Sequence, residues 1–100
     1  MNSAQRHIYL MGTGDVKAIV AGVESNNEYV VLNAIIQGTI KKIKDTNFVE
    51  GIRKAKDSDA VFLNLPLRSV ATAALDVLSI EQYRGNDAVI KDLIACGFNA

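Results

Sequence analysis

Residues 16–43 read VKAIVAGVESNNEYVVLNAIIQGTIKKI, and the backbone this stretch adopts decides the fold class. Its apolar residues are mostly β-branched. Val16 to Val23 gives way to Glu24-Ser25-Asn26-Asn27, and Glu28 to Ile36 gives way to Gln37-Gly38-Thr39. Short β-branched runs punctuated by Gly and Asn carry the signature of strands joined by turns. Tyr29-Val30-Val31-Leu32 does not alternate in polarity, as expected of a strand covered on both faces, and Ile40 to Ile43 adds a short amphipathic edge.

A helical reading competes. With Asp15 as N-cap, Val16, Ile19, Val20 and Val23 share one helical face, and Leu32, Ile35, Ile36, Ile40 and Ile43 share another. Against it stand Gly22 and Gly38, each costing a helix about 1 kcal/mol relative to Ala, and the β-branched content. On that balance the stretch reads as strands. Arg6 to Met11, followed by Gly12-Thr13-Gly14-Asp15, extends the pattern upstream into a β-meander over about residues 6–44.

Beyond Asp45 the apolar residues become mainly Ala and Leu, and the pattern turns helical. Asn47 with Glu50 resembles a capping box and opens a helix over 47–56, with Phe48, Val49, Ile52 and Ala55 inward. Pro66 fits the first turn of a helix over 66–79 whose inner face is Leu67, Val70, Ala71, Ala74, Leu75 and Leu78. Asn86 caps a third helix, 86–96, with Val89, Ile90, Leu93 and Ile94 as its stripe and Gly97 as its left-handed stop. Ala60-Val61-Phe62-Leu63 reads as a buried strand or an extra helical turn. The expected fold is α+β, a meander followed by three helices in a single domain over residues 1–100. The alternatives are an α/β sandwich and an all-α bundle. No internal repeat is legible in the residues.

Lys and Arg number 11 and so do Asp and Glu, which argues against a protein built wholly around nucleic acid or an anionic membrane. The single cysteine, Cys96, rules out an intrachain disulfide framework and points to a reducing, cytoplasmic setting. Ile8 to Met11 is too short for a signal-peptide core, and Tyr29 to Ile40 falls short of the roughly 20 residues a membrane helix needs, so no membrane partner is expected.

Charge is concentrated locally. Lys41, Lys42, Lys44, Arg53, Lys54 and Lys56 are opposed between Ile40 and Lys56 only by Asp45 and Glu50. Such a cluster can neutralise the phosphates of a nucleic acid or nucleotide, or simply guard an edge and complement a helix dipole. Gly12-Thr13-Gly14-Asp15 lacks the third glycine of a dinucleotide loop and the Gly-Lys-Ser/Thr of a P-loop, and reads as a hairpin turn. His7 and Cys96 show no nucleophile-and-base spacing, and Asp57, Asp59, Asp87 and Asp92 show no converging pair. No catalytic residue, metal site or cofactor is expected. Tyr83, in the polar segment Glu81 to Gly85, is the candidate contact residue. The functional expectation is a small non-enzymatic binding or regulatory protein that works as a homo-oligomer, with another protein as a further partner. The alternative is a binder of phosphate-bearing ligands through the cluster at 41–56.

Overall fold

The computed structural model describes residues 3–98 and overturns the meander: residues 16–22 and 28–40 are helical, as are Arg6 to Met11 upstream. The helices are α1 (Ser3–Gly12), α2 (Val16–Gly22), α3 (Glu28–Ile40), α4 (Thr46–Ala55), α5 (Leu67–Val77) and α6 (Ala88–Cys96). The strands are β1 (Val61–Phe62) and β2 (Leu65–Pro66), a two-stranded antiparallel hairpin pairing Val61 with Pro66 and Phe62 with Leu65. The protein is therefore neither α+β with an N-terminal sheet nor an α/β sandwich. It is mostly helical.

The turns that punctuate the sequence are helix starts. Asp15 accepts from the Ala18 amide at 3.0 Å and opens α2, and Asn27 accepts from the amides of Tyr29 and Val30 and opens α3. Each satisfies amide groups that a helix start leaves without partners. Gly12-Thr13-Gly14-Asp15 thus joins two helices rather than two strands. Downstream, the three expected helices lie within two residues of their expected ends, but Asp45 caps α4 in place of Asn47, and Asp87 caps α6 in place of Asn86. Gly97, at φ 60°, closes α6 in the left-handed conformation.

The two glycines that weigh against helices mark close approaches between them. A Cβ on Gly22 would stand 2.6 Å from Met11 Sδ and 3.0 Å from Ala34 Cβ, and one on Gly38 would enter the Phe48 ring. The lost helix propensity is offset by packing that only a bare backbone permits.

α3 carries apolar residues all round because it is packed on several sides. It buries Val30, Val31, Leu32, Ala34, Ile35, Gly38 and Thr39, and touches α1, α2, α5 and the edge of α4. Among the described residues, every substantial contact joins helices one or two places apart in chain order, with α1, α3 and α5 forming one row and α2 and α4 lying alongside. The molecule is elongated, 39 × 25 × 25 Å. Met11, Ile19, Ile35, Phe48, Ile52, Leu67, Leu75 and Leu78 are fully buried along its axis. The hairpin projects at the α4–α5 junction, tied to α5 by the Leu67 amide on the Ala60 carbonyl at 2.9 Å. Among the described residues, no helix is long and apolar enough to cross a membrane.

Candidate functional site

One face of α3 stays uncovered. Tyr29, Leu32, Asn33 and Ile36 form one wall of an open groove of about 620 Å³, and Val61, Phe62, Leu63 and Leu65 of the hairpin form the other. The Tyr29 and Phe62 rings meet across it, tilted by 56° with centroids 5.5 Å apart. Asn33 turns its amide back onto the Tyr29 carbonyl at 2.8 Å, which removes polarity from the wall. Among the described residues, none that lines this groove is charged.

Leu63 is the anomaly. It and Asn64 form the two-residue hairpin tip with φ of 52° and 66°, the positive pair that a type I′ turn demands. Asn tolerates that region; a leucine there costs about 1–2 kcal/mol. Burial does not offset that cost, because Leu63 is 101% exposed, beside Val61 at 57%, Tyr29 at 51% and, one turn along α3 from Ile36, Ile40 at 39%. Leu63 thus combines a strained backbone with a large apolar side chain held in solvent.

A second open groove, about 590 Å³, lies where the α2–α3 turn meets α4. Glu24, Glu28 and Glu50 rim it against Lys54 alone, and Ser58 Oγ donates to the Glu28 carboxylate. Among the described residues no three His, Cys, Asp or Glu side chains are grouped to hold a metal ion.

The six cations of the basic cluster sit on different elements. Lys41 and Lys42 follow α3, with Lys41 Nζ lying against Gly14, and Lys44 is in the loop beyond. Lys54 faces the acidic groove. Arg53 donates from Nε to Glu81 and from Nη1 to Glu50, both at 2.9 Å, and Lys56 Nζ reaches Glu81 at 3.2 Å. The hydrogen bond from Arg53, then that from Lys56, holds the Glu81 carboxyl below its ordinary value. The Glu81 and Glu50 carboxylates in turn raise the Arg53 guanidinium. Two of the six cations thus carry a partner, Glu81, that the sequence places far away.

Tyr83 is engaged within its own loop. Its amide donates to Asp76 Oδ2 at 2.8 Å, its hydroxyl accepts from the Asp87 amide at 2.9 Å, and its ring lies over Gly85. His7 Nε2 bonds the Ala18 carbonyl and braces α1 against α2, while Cys96 is exposed on α6, and these helices share no substantial contact with it among the described residues. Asp57 and Asp92 lie outside any converging pair, Asp59 is exposed with them on the surface loops and α6, and Asp87 serves as a cap. Sequence reasoning missed the groove, and its one available signal was Leu63-Asn64 set between Val61-Phe62 and Leu65-Pro66.

Comparison with protein-family models, with curated proteins and with solved structures returns no match, so the site is read from its own geometry.

Proposed function

We propose that this chain is a small non-enzymatic binding module that acts by docking an uncharged, apolar protein surface in the groove between α3 and the hairpin. The observation that carries the reading is Leu63, fully exposed at a positive φ beside a groove with no charged lining residue among those described. The architecture supports it, since the β1–β2 hairpin sets a second apolar wall opposite α3. Binding of phosphates by the cluster at 41–56 has less support, because Arg53 and Lys56 already share Glu81 and Lys54 faces three glutamates.

Panning a random-peptide display library against the folded chain tests the reading. The expected selection is peptides free of Lys, Arg, Asp and Glu and anchored by Leu, Ile or Phe, with binding lost on Tyr29→Lys. A charged consensus, or selection indifferent to that substitution, would overturn it.

A further inference from the structure

We infer that the partner is a second copy of this chain, docked face to face so that the Leu63 of each copy enters the groove of the other. The inference rests on the docking reading above and adds the identity of the occupant. A twofold interface joins one patch to itself, so that patch must contain both a projection and the hollow that receives it. This face has both: Leu63 stands at the hairpin apex, and Tyr29, Leu32 and Ile36 line the hollow beside it.

Electrostatics permits the same occupant. A patch carrying charge of one sign repels its own copy, but this lining has none, and the whole chain balances 11 basic against 11 acidic residues. Area sets the strength. Tyr29, Ile40, Val61 and Leu63 together expose about 450 Å² per copy, taking ordinary side-chain areas. A standard interface takes about 800 Å² from each partner, so these four supply a little over half of that area. That is the size of a reversible dimer rather than an obligate one.

Sedimentation equilibrium of the full chain across the micromolar to sub-millimolar range is the test. The wild type is expected to pass reversibly from monomer to dimer. Leu63→Asp is the decisive variant, because Asp accepts positive φ better than Leu. It should fold at least as stably as the wild type while weakening the dimer by about 100-fold or more, two apolar knobs being lost per dimer. Tyr29→Lys should be monomeric on its own. Mixed with Leu63→Asp it should form a heterodimer, since one intact knob then meets a groove whose α3 wall of Tyr29, Leu32 and Ile36 is intact, and at the other contact the introduced carboxylate faces the introduced ammonium.

A wild type that stays monomeric throughout, or a Leu63→Asp variant that dimerises as the wild type does, would overturn the inference. A monomer that still selects apolar peptides would leave the docking reading standing and remove only the second copy as occupant.

Discussion

Gly38→Ala is expected to destabilise the protein even though it replaces a poor helix former with the best one, in the interior of α3. Propensity alone predicts a gain of about 1 kcal/mol. The geometry predicts the opposite. A Cβ at position 38 would stand 2.8 Å from Phe48 Cε2, the farthest of the three ring atoms it meets, whereas carbon atoms rest about 3.5–4.0 Å apart. Cζ, the nearest ring atom, would lie closer still, so the ring would have to retreat by roughly 1.5 Å, and Phe48 is fully buried in a close-packed core that resists such a shift. Overpacking of this kind costs about 1–3 kcal/mol, and the contact of a backbone-fixed methyl with a rigid ring belongs at the upper end. Set against the propensity gain, the net loss is about 2 kcal/mol, which in a domain of this size lowers Tm by roughly 8–16 °C. Urea and thermal unfolding followed by circular dichroism read both quantities. Gly12→Ala is the control, because nothing lies within 4 Å of the position its Cβ would take and it should be neutral or slightly stabilising. Phe48→Leu should cost less in the Gly38→Ala background than alone, by about 1 kcal/mol of coupling. A Gly38→Ala protein as stable as the wild type would show that Phe48 does not lie on the α3 backbone, and the packing of α4 against α3 would need revision.

Thr39→Val should stabilise by about 1 kcal/mol in urea unfolding, since the Thr39 hydroxyl is fully buried with no hydrogen-bond partner among the described residues and valine keeps its shape; a loss would mean that the hydroxyl is bonded. Asp45→Ala should cost about 1 kcal/mol by removing the acceptor of the Asn47 and Phe48 amides, and Asp45→Asn should recover most of it. Glu81 sets a pH dependence whose sign follows from its lowered carboxyl: its stabilising contribution is present above the ordinary value of 4.5 and is lost as pH falls through the lower folded value. Wild-type Tm should therefore fall more steeply on acidification than that of Glu81→Gln. The difference should be small and shrink in high salt, because these side chains are more than a third exposed.

The downstream half was legible where a helix has one buried stripe, as α4 and α5 do; on α6 only Ile90 of the expected Val89, Ile90, Leu93 and Ile94 is buried, and Val89 is exposed. Phe48, Val49, Ile52 and Ala55 recur at helical spacing on α4, as do Leu67, Val70, Ala71, Ala74 and Leu75 on α5, and all are buried. α3 defeats the same reasoning because it is packed on several sides, which erases the polar face that periodicity needs. What remains is a β-branched run that a buried strand would also show. The glycines compounded the error. Gly22 and Gly38 lower helix propensity locally, yet Met11 and Phe48 need the bare backbone there, and those partners lie 11 and 10 residues away, beyond any local window. Asp15 and Asn27 were the better evidence. A residue that both ends a turn and caps a helix is read correctly only when the segment after it is given equal weight.

The candidate site was illegible for a different reason: its significance lies in a conflict between levels that sequence shows only one at a time. Leu63 as a residue type belongs in a core, and as part of a Val61-to-Leu65 run it belongs in a strand. The hairpin register instead puts it at a turn position suited to Asn or Gly, facing solvent. Each fact is ordinary alone. Together they describe a side chain whose backbone strain is offset by no burial within the monomer, which is the observation the proposed docking rests on. The basic cluster shows the converse. Six cations close in sequence suggest a site, but Glu81, contributed from beyond α5, turns Arg53 and Lys56 into a strut between α4 and the α5–α6 loop. Proximity along the chain shows neither the Glu81 partner of Arg53 and Lys56 nor the hairpin wall opposite α3, because both depend on chain that folds back on α3 and α4.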